Sequence, residues 1–104
     1  MRHFLGCLTA ILAMTNAALS LTAAEQRGKN FVVTNCARCH AVDKVSPSPL
    51  TIAPPFRDLH RKYPIESLQE SLAEGISTGH PTMPEFRLDA DQIHDVLSYL
   101  KSLE

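Results

Sequence analysis

Tryptophan is absent from this chain, and outside one closely spaced pair the only cysteine is Cys7. A structural zinc site needs four ligands and usually a second paired cluster. Zinc here would have to recruit His60, His80 or a carboxylate. No sign of charge dominates: ten Lys and Arg stand against eleven Asp and Glu. The chain therefore lacks the basic footprint by which proteins hold nucleic acid. There is no internal repeat, no Ser/His/Asp grouping and no Gly-rich phosphate loop. No run reads as a convincing strand, so a thioredoxin-type dithiol would lack its βαβ frame. With 104 residues there is room for one domain, and its expected class is all-α.

What is present is the run Cys36-Ala37-Arg38-Cys39-His40. It has the C-x-x-C-H spacing that attaches a c-type haem. On a helical turn, residues three and four apart are neighbours. Cys36, Cys39 and His40 thus converge on one side of the backbone. The two thiols can form thioethers with haem vinyl groups, and His40 can offer an imidazole nitrogen to the iron.

The chain opens with Met1-Arg2-His3, followed by an uncharged run from Phe4 to Ala24. Arg2 supplies a positive start, Phe4–Met14 an apolar stretch, and Ala18-Leu19-Ser20 and Thr22-Ala23-Ala24 the small residues. Residues 1–24 read as a secretory signal peptide, cleaved from Ser20 to Ala24. An uncleaved anchor is the alternative, because about 20 apolar residues can span a bilayer. Against an anchor, a helix is expected at once near Glu25, with no linker. Cleavage would remove Cys7 and leave Cys36 and Cys39 in an oxidising compartment. Thioether formation would protect both. The remaining domain, 25–104, is small enough that its own core is marginal. A buried haem would supply the missing apolar body.

The spacing predicts a first helix over Glu25–Asn35, with Gly28 inside it. Glycine there costs about 1 kcal/mol relative to alanine, which points to another helix crossing closely. Residues 43–55 carry Pro47, Pro49, Pro54 and Pro55 and should form a loop. Phe56–Lys62 should make a short helical turn. A second helix should begin at Pro64, with an apolar stripe of Ile65, Leu68, Leu72 and Ile76, and end at Gly75. A last helix should run over Asp89–Leu103 behind an Asp89 cap, with an apolar stripe of Ile93, Val96, Leu97, Leu100 and Leu103. His94 should lie at the surface.

Gly79-His80-Pro81-Thr82-Met83-Pro84 is a second notable stretch. Met83 is the one methionine left once a leader carrying Met1 and Met14 is removed. Its thioether, on a proline-stiffened loop, is a candidate sixth ligand for the iron, and His/Met ligation raises the haem potential. His80 is the rival ligand. Met83 as core filler is the third reading.

These residues resemble a class I cytochrome c. Gly28, Phe31 and Val32 precede the C-x-x-C-H run. Ala53-Pro54-Pro55-Phe56 is similar to the family's Gly-Pro-x-Leu loop, and Pro84 follows Met83. Val96–Lys101 resembles the terminal helix, and Gly79–Phe86 resembles a short bacterial periplasmic subgroup. The resemblance implies a small fold of three main helices and short turns around one haem c, bound covalently through Cys36 and Cys39. It implies His40 and Met83 as axial ligands, with the Pro54 carbonyl accepting the His40 ring N–H. It also implies that Tyr99 packs near Gly28, where the first and last helices cross. Two departures stand out: Ala53 replaces the loop glycine, and the helix aromatic comes one place early, at Phe31. Arg57, Arg61 and Tyr63 are candidates to meet the haem propionates.

The expected role is a periplasmic one-electron carrier rather than an enzyme. It would be a monomer with no stable membrane insertion, exchanging electrons with periplasmic redox proteins. Two alternatives are a fixed haem subunit of a periplasmic dehydrogenase complex, and a five-coordinate haem enzyme or gas sensor in which Met83 does not bind.

Overall fold

Two capping boxes set where the long helices begin. At the first, Glu25 donates its backbone N–H to the Thr22 hydroxyl at 3.1 Å. The Glu25 carboxylate accepts the Thr22 N–H in return, at 3.3 Å. At the second, Asp89 and Gln92 exchange the same pair of bonds, at 2.8 and 3.1 Å. Each box satisfies two of the four amide groups that a helix start leaves without partners. The chain is seen here as a computed structural model that describes residues 20–75 and 83–104.

Helix α1 spans Ala23–Asn35, α2 spans Leu68–Glu74 and α3 spans Ala90–Ser102. Phe56–Arg61 and Ile65–Ser67 are 3₁₀ turns. No strand occurs among the described residues, and the fold is all-α. No helix among them is long and apolar enough to cross a membrane. The expected leader lies outside the described residues up to Leu19.

The element order matches the expectation from periodicity, with local adjustments. α1 starts two residues before Glu25 because Thr22 supplies its cap. The expected helix start at Pro64 is a 3₁₀ turn before α2, with Pro64 just outside it in extended backbone. Gly75 ends α2 in the left-handed region, φ 76° and ψ 49°. A side chain is strained there, which is why glycine suits the position. Ile76, the last expected member of the α2 stripe, lies outside the described residues.

The core gathers Val32, Phe56, Leu59, Ile65, Val96, Tyr99, Leu100 and Leu103. Val32 and Ile65 are the most completely enclosed. α1 and α3 cross at Gly28. A Cβ on Gly28 would meet the Asp95 carbonyl oxygen at 1.9 Å and the Tyr99 Cβ at 2.9 Å. The close crossing expected of Gly28, and its nearness to Tyr99, are both present. Beside it, the Arg27 guanidinium grips the Asp95 carboxylate with two bonds, 2.9 and 3.0 Å. That pairing holds the Asp95 carboxyl below its usual range. His94 is exposed, as its place outside the stripe predicts.

Candidate haem site

The C-x-x-C-H run is one further turn wound onto the end of α1. Cys36 and Ala37 both donate their N–H groups to the Val32 carbonyl, at 2.8 and 3.1 Å. Cys39 and His40 then donate to the Cys36 carbonyl, at 3.2 and 3.0 Å. Cys36, Cys39 and His40 are therefore held as a unit by a helix whose Val32 is rooted in the core. Both cysteines are free thiols and partly buried. Burial pushes the Cys36 thiol up to about 11, so it is neutral at ordinary pH.

The proline-rich loop is sewn to this turn. Leu50 donates to the Cys39 carbonyl and Phe56 to the Ala41 carbonyl, both at 3.0 Å. The Ser48 hydroxyl accepts the Ala41 N–H at 3.0 Å. The loop entry is tightened by Asp43, whose carboxylate accepts the N–H groups of Val45 and Ser46 and the Ser46 hydroxyl. Those three bonds draw the Asp43 carboxyl down to about 2. Arg57 donates to the Ser46 carbonyl at 2.7 Å. From the far side of the fold, the Tyr99 hydroxyl donates to the Val42 carbonyl at 2.5 Å.

His40 is the residue this loop positions most directly. Its ring Nδ1 lies 2.8 Å from the Pro54 carbonyl oxygen. A carbonyl only accepts, so the proton sits on Nδ1 and Nε2 keeps its lone pair. The Phe56 ring lies against the imidazole, with centroids 4.7 Å apart. The His40–Pro54 contact that the resemblance implies is thus in place. Met83 lies on the separate segment that leads into α3, and it is exposed. Three residues on, Phe86 packs edge-on against Phe31 of α1, at 6.3 Å and 73°. His80 lies outside the described residues.

Among the propionate candidates, Arg57 is occupied with loop carbonyls and Arg61 pairs with Asp58 at 3.5 Å. Tyr63 is partly buried, and burial raises its phenol pKa. Three supports of the site were not found by reading the residues: the Phe56 ring, the Ser48 hydroxyl and the Tyr99 hydroxyl. Ser48 carried a faint signal, a small hydroxyl between two prolines. The Tyr99 contact spans 57 residues and carried none.

The donor set suits a haem. Two unpaired thiols and an imidazole with an oriented free nitrogen share one turn, and the described residues hold no buried side-chain N or O lacking a partner. No group of three His, Cys, Asp or Glu converges among those residues as a cage for a bare ion. No curated protein and no solved structure matches the chain. The family model described as cytochrome c matches residues 25–104, the whole stretch from the first turn of α1 through α3. The chain belongs to the class I cytochrome c family, whose members carry electrons on covalently attached haem.

Proposed function

We propose that the chain is a monohaem cytochrome that carries single electrons in the periplasm. Cys36 and Cys39 hold the haem through two thioethers. His40 and Met83 would hold its iron, and the Pro54 carbonyl orients the His40 ring. The observation that carries this reading is the 2.8 Å contact between His40 Nδ1 and the Pro54 carbonyl oxygen. It fixes the tautomer and aims Nε2 away from the loop, which is the usual way a protein orients a metal-binding imidazole. When bound, the haem supplies a one-electron couple, and His/Met ligation sets that couple high. The chain's own part is to keep the two ligands in place and exclude water with the Phe56 ring and the Pro54 loop.

Residues 1–20 are proposed as the export signal, with processing at the early end of the Ser20–Ala24 window. Leu21 packs against the core and Thr22 caps α1. Cleavage after Ala24 would discard both, and loss of the cap alone costs about 1 kcal/mol. Intact mass of the denatured periplasmic protein tests the whole reading. The expected mass is that of a chain beginning at Leu21 plus one haem. A mass with no haem adduct overturns the function, and an N-terminus at Glu25 overturns the processing site alone.

A further inference from the structure

The early aromatic of α1 has a partner. Phe31 meets Phe86 edge to face, 6.3 Å between centroids and 73° between planes. That geometry sets a positive ring edge against a negative ring face, within the range where such pairs attract. Phe31 is part of the helix that winds on into the C-x-x-C-H turn, and it packs against the core. Phe86 is separated from Met83 by only Pro84 and Glu85. The ring pair therefore ties the helix carrying His40 to the segment carrying Met83.

We propose that Phe31 and Phe86 form a latch that holds Met83 against exchange with other ligands of the iron. This rests on the reading of Met83 as an axial ligand. Both phenylalanines are positioning residues.

Phe86 is one anchor of this segment. Leu88 is another: its N–H donates to the Leu72 carbonyl of α2 at 2.8 Å. With the latch closed, Met83 lies three residues from a fixed point. With the ring pair gone, the Leu88 anchor remains, five residues away. The local concentration of a tethered group falls roughly as the −3/2 power of tether length, so the longer tether alone lowers it about twofold. The ring pair itself is worth about two- to tenfold in an equilibrium.

The test is titration of the ferric holoprotein with imidazole, followed by its absorption spectrum. Phe31→Leu and Phe86→Leu should each tighten imidazole binding about two- to tenfold. The double variant should gain no more than either single one, because each removes the same contact. Phe86→Tyr keeps the ring and should bind like the parent. Ile93→Val, a buried change on α3 outside the ring pair, should also bind like the parent. Ring variants with parental affinity, or a double variant equal to the sum of the singles, would overturn the latch. The same result from Ile93→Val as from the ring variants would also overturn it, since general loosening would then be the cause. Met83→Ala separates the two claims. If it binds imidazole far more tightly while the ring variants do not change, the latch falls and the ligand assignment stands. If Met83→Ala has the parent's spectrum and affinity, the ligand assignment falls and the latch falls with it.

Discussion

Gly28→Ala is the sharpest test of how α1 and α3 meet. The new methyl would lie 1.9 Å from the Asp95 carbonyl oxygen and 2.6 Å from its carbon. Ordinary contact begins near 3.4 Å, so α3 must retreat by about 1.5 Å. The obstacle is backbone, which has no rotamer to turn away. Overpacking of this kind costs about 1–3 kcal/mol and sometimes more. The retreat also pulls the Tyr99 hydroxyl off the Val42 carbonyl, a bond worth about 1 kcal/mol. Against this, alanine is about 1 kcal/mol better than glycine inside a helix. The clash wins, with a net cost of about 1–3 kcal/mol. The Arg27–Asp95 pair adds little, because Arg27 is 61% exposed and water screens such surface pairs. Arg27→Ala is therefore the companion control, with a small effect. The assay is urea unfolding of the holoprotein followed by circular dichroism. For a slope of about 1 kcal/mol per molar urea, the Gly28→Ala midpoint should fall by roughly 1–3 M. A midpoint equal to or above the parent's would mean that helix propensity decides at this position and that the helices are not in backbone contact.

Two further predictions concern acid and salt. The Asp43 carboxyl is depressed to about 2 by its bonds to Ser46 and Val45, so its contribution is complete above about pH 4 and is lost as pH falls through about 2. The urea midpoint should drop over that window more steeply in the parent than in Asp43→Ala, and equal slopes would show that the Asx turn adds no stability. Electron transfer with the native partner should slow as ionic strength rises, with a screening length of about 10 Å at 0.1 M. The motive is that residues 25–63 carry seven Lys and Arg against three Asp and Glu, and Arg38 and Lys44 are exposed on or just after the C-x-x-C-H turn. Arg38→Glu should slow the reaction further at low salt in stopped-flow measurements. A flat salt series with Arg38→Glu matching the parent would move the docking role to Val45 and Ile52, the exposed apolar residues of the adjoining loop.

Short-range order was legible in the chain itself. C-x-x-C-H specifies one turn because three and four residues close a helical turn, whatever surrounds it. Asp89 with Gln92 and Gly75 after α2 set their helix ends by local bonding and by the steric freedom of glycine. Thr22-Ala23-Ala24-Glu25 belongs to the same class, since a Thr followed three residues later by Glu is a capping box. It went unread because those residues also suit a cleavage site.

Tertiary structure decided what depends on residues far apart in sequence. Gly28 announced a close neighbour, but only the folded chain shows that the neighbour is the Asp95 carbonyl. Pro54 behind His40 came from likeness to a family, because nothing in fourteen residues of loop says which carbonyl will face the ring. Tyr99 on Val42 and Phe31 on Phe86 join segments 57 and 55 residues apart. The physical reason is that local sequence fixes dihedral preferences and the period of apolar positions. Which faces then meet depends on the joint packing of α1, α3 and the loop between them, a property of the whole core that no single stretch contains.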